Sequence, residues 1–229
     1  MAAEVQATAP ADVLRLARLT EQASHGLDEW VNQPLLPPRV TAEGTLRRLY
    51  ETALLQFAQR GFHAVSVRDL TRALGLQAST LYAHVPSKQH LLADLIRIGH
   101  EEHRDTLRLS LLEAGSEPSE QLTALMRAHV GIHATYPLLT RLCNRELSSL
   151  ADEDRTEIVA IRLEAERLFF DVVERGQRLG AFEPVDAPLV IAAMGAMGIR
   201  IAEWWHPRLG LDIETVASTY ATFAVRMLS

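Results

Sequence analysis

Glycine and proline punctuate this chain at helix-length intervals, at Gly61, Gly75, Pro86, Gly115, Pro137, Gly180, Pro184, Pro188, Pro207 and Gly210. Between them apolar residues recur at helical spacing, and no alternating β-branched run interrupts the pattern. Such segments bury their apolar stripes by packing helix on helix, so the expected fold class is all-α. The length of 229 residues suits one or two compact domains.

Several boundaries can be read directly. Residues 11–31 carry Val13, Leu16, Ala23, Leu27 and Trp30 at helical spacing and predict one extra helix. The stretch Pro34-Leu35-Leu36-Pro37-Pro38 then reads as a stiff linker. A helix from Thr41 to Arg60 follows, with Leu46, Leu49, Ala53 and Phe57 on one face and Gly61 closing it. Ser66 is a good N-cap for a second helix, with Asp69 three residues on standing in for the capping-box glutamate. Gly75 makes a turn, a short third helix spans Gln77 to His84, and Pro86 or Ser87 starts a long helix reaching about Ala114. Five more helices are expected, over 117–135, 137–150, 153–179, 186–206 and 212–228. This organisation divides the chain into an N-terminal extension (1–40), a three-helix head (41–90) and a helical body (91–229) with enough helices to enclose a pocket.

The net charge of −6 argues at first against nucleic acid, but the charge is unevenly spread. From Arg39 to His90 seven basic residues face three acidic ones, giving +4 and leaving −10 on the remainder. A basic head on an acidic body fits DNA binding with separate regulation. No uninterrupted apolar run reaches the ~18 residues of a membrane helix, and the N-terminus carries no secretory pattern. The single cysteine, Cys143, has no internal partner, so a reducing cytoplasm is expected.

Chemistry concentrates between Val67 and Tyr82. Leu70, Leu74, Leu76 and Leu81 are spaced to bury between two crossed helices, and Gly75 supplies the left-handed residue of the turn. Gln77, Ala78, Ser79, Thr80, Tyr82 and His84 are then left outside. Glutamine can make paired hydrogen bonds to adenine, and alanine accommodates a thymine methyl. The hydroxyls of Thr80 and Tyr82 suit phosphates, as does the ammonium of Lys88, the only lysine of the chain. Lys88 sits in a first helical turn, where the dipole disfavours a cation unless an anion is near. Arg39, after the proline stretch, is placed to reach a minor groove.

The stretch from Leu46 to Leu95 resembles the DNA-binding domain of the TetR family of repressors. It does so through Ala53, Phe57, Gly61-Phe62, Ser66-Val67-Arg68-Asp69-Leu70 and, above all, Leu81-Tyr82-Ala83-His84-Val85-Pro86-Ser87-Lys88 with Leu91-Leu92. It departs from the family at Thr71, where alanine is usual, and at Val85, where phenylalanine is common. The resemblance implies that Ser66 and Arg68 lie beside the DNA backbone or groove edge. It also implies that Tyr82, His84 and Lys88 hold phosphates and that Gln77 to Thr80 face base edges.

The segment Val190–Ile199 is apolar all round, and the last helix carries Val216, Tyr220, Phe223, Val225, Met227 and Leu228. Such helices need covering, and in the resembled family the last two helices form a four-helix dimer bundle. Tyr136, Arg141, Phe169, Met194, Met197 and Trp204 are the candidate lining of an effector pocket. Asn144-Arg145-Glu146-Leu147, Gly176 to Phe182 and Trp204-Trp205 resemble the family branch that controls lipid and steroid catabolism, whose members often respond to acyl-CoA thioesters. The resemblance thus implies a homodimeric repressor on palindromic double-stranded operator DNA, released by a small hydrophobic ligand such as an acyl-CoA, with no cofactor and no membrane partner.

Two alternatives come from the residues. His129 and His133 share a helix face and could clamp a metal, as in a metal-responsive repressor, and His100 and His103 make a second pair. Glu203-x-x-His206 supplies only one half of a di-iron motif. An enzyme is disfavoured: His-Glu-Glu-His at 100–103 is one residue short of the zinc-protease spacing, and no nucleophile elbow, phosphate loop or dinucleotide fingerprint occurs.

Overall fold

The computed structural model describes residues 33–229, and the helix expected over 11–31 lies outside them. The described residues form nine α-helices and no strand. They are α1 (Gly44–Arg60), α2 (Val67–Leu74), α3 (Ala78–His84), α4 (Lys88–Glu113), α5 (Pro118–Thr135), α6 (Pro137–Arg145), α7 (Asp152–Arg178), α8 (Ala187–Trp204) and α9 (Ile213–Arg226). The helix expected over 137–150 breaks at Arg145 and resumes as a single 3-10 turn, Leu147–Ser149.

Each boundary has a local cause. At α2 the Ser66 hydroxyl accepts from the Asp69 amide at 3.1 Å, and the Asp69 carboxylate accepts from the Ser66 amide at 2.8 Å. That reciprocal pair satisfies two orphan donors. The helix ends at Gly75, with φ +66° and ψ 30°, where the chain must enter the left-handed region. Ser87, Asp186 and Asp212 cap α4, α8 and α9 by accepting from the amide three residues on, without the reciprocal bond. Pro137 ends α5 and opens α6 at once, because it lacks an amide to continue one helix but fits the first turn of the next. Thr71 is buried without penalty, since its hydroxyl donates back to Val67 O at 3.1 Å.

Two apolar cores result. One gathers Leu49, Leu54 and Phe57 of α1, Leu70, Leu81, the first turns of α4, and Leu138, Leu139 and Leu142 of α6. The expected boundary at residue 90 therefore runs through the middle of a shared core. The proline stretch does more than space: Leu36 is buried in the same core. The second core joins the far half of α4 to α5, α7, α8 and α9.

Helix α8 divides its surface three ways. At about 100° per residue, Met194, Met197 and Ile201 fall on the side packed into the second core. Leu189, Ala193 and Arg200 are exposed on another face, Leu189 at 69%. By length and composition this helix could cross a membrane; here one side of it packs in the second core. Gly198 meets α5 so closely that a Cβ would fall inside the His129 ring. Because His129 is buried and held by hydrogen bonds at both ring nitrogens, it cannot swing away. Gly198→Ala is expected to destabilise the fold by about 1–3 kcal/mol in urea denaturation, the range for overpacking. An unchanged midpoint would show that the α5–α8 contact gives way more easily than its geometry indicates.

Candidate functional site

The head presents α3 outward. Leu81 is fully buried beneath it, while Gln77, Ala78, Ser79, Tyr82 and His84 are exposed and Thr80 is half-buried. Tyr82 stands 54% exposed, a large amphipathic side chain with no partner in the fold to explain it. Arg68 and Arg72 of α2 are exposed nearby in sequence, and Ser66, although exposed, spends its hydroxyl on the cap. The structure therefore places Ala78 to His84 of the expected set on one short, solvent-facing helix, with Gln77 at its N-cap and Ser66 and Arg68 at the start of α2.

Two cations leave that set. The Lys88 ammonium donates to Phe62 O at 2.9 Å and Val65 O at 2.7 Å and lies 4.0 Å from the Phe62 ring centroid. Burial pulls its pKa down, and nearby Glu146 partly offsets this. The phosphate role expected of Lys88 thus gives way to a structural one: two of its three donors already tie the start of α4 to the turn before α2. Arg39 is also committed elsewhere. Its guanidinium donates to Glu102 at 2.6 Å, Glu101 at 3.1 Å and Ile98 O at 2.7 Å. Those partners lie several turns along α4, so Arg39 fastens the proline segment to the body instead of reaching a groove.

Beneath the head, α4 to α8 enclose a cavity of about 460 Å³, a normal size for a small-molecule site. Of the six residues expected to line it, only Phe169 does. Met194, Met197 and Trp204 lie on the opposite side of α8 and belong to the second core. Tyr136 is buried in the first core. Arg141 pairs with Glu203 at 3.6 Å, beside Arg145 at 3.0 Å, and links α6 to α8. Because residues 190–199 of α8 are apolar all round, residue type alone did not say which side would face the void; Ile191, Gly195 and Ile199 do.

The residues missed are histidines. His100, His103, His129 and His133 all line the cavity, with Arg162, Glu166, Asn144 and Cys143. Their spacing on two helices was visible, but the pairing of α4 with α5 that unites them was not. Burial holds them neutral: it lowers His100 and His129 to about 4 and His133 to about 3, and it pushes His103 well below the usual imidazole range. Burial also pushes the Cys143 thiol up to about 12, so it is an unreactive wall. The metal reading of His129 and His133 does not survive. His129 Nδ1 meets His103 Nε2 at 2.8 Å, its Nε2 meets Gly195 O at 3.1 Å, and His133 Nδ1 meets His129 O at 2.8 Å. Among the described residues no group of three or more histidine, cysteine or acidic side chains could hold a metal ion.

Head and cavity meet at α6. Its residues Thr140, Cys143 and Asn144 line the void, and Glu146, just past its end, accepts from the Phe62 amide at 3.1 Å. Phe62, held by Glu146 through its amide, is held by Lys88 through its carbonyl.

Two family models match this arrangement. Residues 49–95 match the bacterial regulatory proteins of the tetR family, and residues 115–228 match the tetracyclin repressor-like C-terminal domain. The chain belongs to the TetR family. It is a DNA-binding transcriptional regulator, and the relatives found are transcriptional regulators and not enzymes. The chain is 24% identical to the transcriptional repressor KstR2 of Rhodococcus jostii over 80% of its own length and 90% of that protein. The ketosteroid transcriptional regulator KstR2 of Mycobacterium tuberculosis has a similar fold, with a TM-score of 0.74, 24% identity, and coverage of 83% of this chain and 99% of that one. So has AibR, solved in complex with isovaleryl coenzyme A and operator DNA, with a TM-score of 0.68, 23% identity, and coverage of 80% and 97%.

Two predictions separate structure from recognition. Lys88→Ala should lower the urea midpoint, with a loss of about 1–3 kcal/mol for hydrogen bonds from a charged group. Tyr82→Phe should leave the midpoint unchanged and weaken DNA binding. Equal stability of the two variants would return Lys88 to the DNA. The histidines set a pH dependence. Their folded pKa values lie below the unfolded 6.5, so the unfolded chain takes up protons first as pH falls. Stability is thus full above about 6.5 and declines towards 4, by up to about 1.4 kcal/mol per pH unit for each histidine. Urea titrations at pH 7 and 5 should show the fall, and His133→Asn should make it shallower.

Proposed function

We propose that the protein is a homodimeric, cytoplasmic repressor that binds a palindromic operator through α3 and is released by a small, mostly apolar ligand in the α4–α8 cavity. The observation that carries this reading is the coexistence, in one chain, of an outward-facing recognition helix and a lined void joined to it by α4 and α6. Gln77 to Thr80 read base edges, and Tyr82, His84, Ser66 and Arg68 steady the head on the backbone. The acyl group of a coenzyme A thioester is the ligand class we favour, with support from AibR, which was solved with isovaleryl coenzyme A.

The dimer reading rests on α8 and α9. Leu189 and Phe223 are exposed at 69% and 45%, and Ala193 is exposed on the same helix as Leu189. Small residues on α8 let a second helix approach closely, and an exposed apolar surface of this kind marks an interface. Two heads held at a fixed separation can read successive major grooves. A ligand that binds the DNA-incompetent state more tightly shifts the population away from the operator, by no more than its differential affinity.

Fluorescence anisotropy on the chain's own upstream DNA, titrated with a panel of acyl-CoA thioesters, tests the whole reading. Tight binding that falls steeply with salt and is relieved by a thioester is expected. Binding that no thioester disturbs removes the ligand class and leaves the repressor. Leu189→Glu should give a monomer by light scattering and lose operator affinity. A dimer that persists would place the interface elsewhere.

A further inference from the structure

The histidine chain in the cavity has a direction. Gly195 O can only accept, so neutral His129 carries its proton on Nε2 and leaves Nδ1 as an acceptor. His103 Nε2, 2.8 Å from that Nδ1, must then be the donor. At the other branch, His129 O can only accept, so His133 carries its proton on Nδ1. Two backbone carbonyls thus set three tautomers, and in each case the nitrogen left over, His103 Nδ1 and His133 Nε2, bears a lone pair. Both residues line the cavity. A third, independent sign comes from His100, which is only 6% exposed and lines the same void with Nε2 buried and unpartnered. A buried polar atom without a partner marks a place where a ligand atom is due. The one cation at the rim, Arg162, already pairs with Glu166 at 3.0 Å.

Within the reading of this cavity as the effector site, we infer that it selects an apolar ligand bearing a hydroxyl group, whose proton is received by His103 Nδ1 or His133 Nε2. A carboxylate or a ketone at the same place offers only lone pairs to lone pairs and gains nothing from either ring. An acyl ligand would therefore be recognised through a hydroxylated acyl chain.

Matched probes of one size test this by calorimetry on the full chain at pH 7.5: 1-octanol, 2-octanone and octanoate. We expect octanol to bind roughly tenfold more tightly than the other two, the discrimination that one buried donor–acceptor pair supplies. His103→Gln and His133→Asn each keep the donor that holds the chain together and delete the free acceptor. At least one of them should reduce the preference to under about threefold while thermal melting shows the fold intact. If octanone or octanoate binds as tightly as octanol, hydroxyl selection is wrong and the cavity stands as a ligand site. If the preference persists in both variants, the histidines are not its source and the inference falls. If none of the three probes binds, the effector-site reading falls and takes this inference with it.

Discussion

The turn at Phe62 ties the head to the body. Its amide donates to Glu146 from the end of α6, its carbonyl accepts from Lys88 at the start of α4, and its ring lies under the same ammonium. Four residues later the chain caps α2. Hydrogen bonds to charged groups are the costly ones to break, and these half-buried ones hold the turn to the ends of α4 and α6. Whatever moves either helix end moves α2 and α3 with it. The same Lys88 would be an ordinary surface cation if it pointed outward; its inward commitment converts a helix start into a strut.

That strut matters because head and body do not have separate cores. Leu49, Phe57 and Leu81 pack in one cluster with Leu138, Leu142 and Ile158, so the two halves share buried area and unfold as neighbours. A flexible tether would let a ligand bind without consequence at the far end. A common core with α6 running from cavity to turn leaves few ways for the cavity to change shape without the head noticing. Coupling of this kind requires two packings close in energy, and the void beside α6 supplies the slack.

How much of this was legible in the sequence divides along the range of the interactions. Helix ends were readable because capping residues, prolines and glycines act within four residues: Ser66 with Asp69, Gly75, Pro137. The exposed face of α3 was readable because burying Leu70 and Leu81 forces Gln77 and Tyr82 outward. The cavity was not readable, since its walls come from five helices and residues 190–199 of α8 are apolar on every side; Met194, Met197 and Trp204 suit a pocket by residue type, yet they belong to the core. Arg39 and Lys88 were assigned by charge to DNA. Each instead found acceptors some twenty or more residues away, a choice no local pattern records. The histidines illustrate the middle case: the i, i+4 spacing was plain, but a metal and a hydrogen-bonded chain need the same spacing, and only the distance of His103 from His129 separates them.

The geometry of α8 links ligand and partner. Ala192 and Ala196 line the cavity and are exposed in the single chain, while Leu189 and Ala193 extend the exposed surface beside them. A second chain seated on that surface would therefore close over one wall of the void. Apolar ligand and apolar partner would then desolvate the same small residues, so each would favour the other's geometry, and the angle between protomers would depend on what fills the cavity. With each head tied to its body through Phe62, a change in that angle would reach the two copies of α3 as a change in their separation. Dimerisation would then be part of the ligand site itself, and ligand size, read out by α8, would set whether the heads match the spacing of successive grooves.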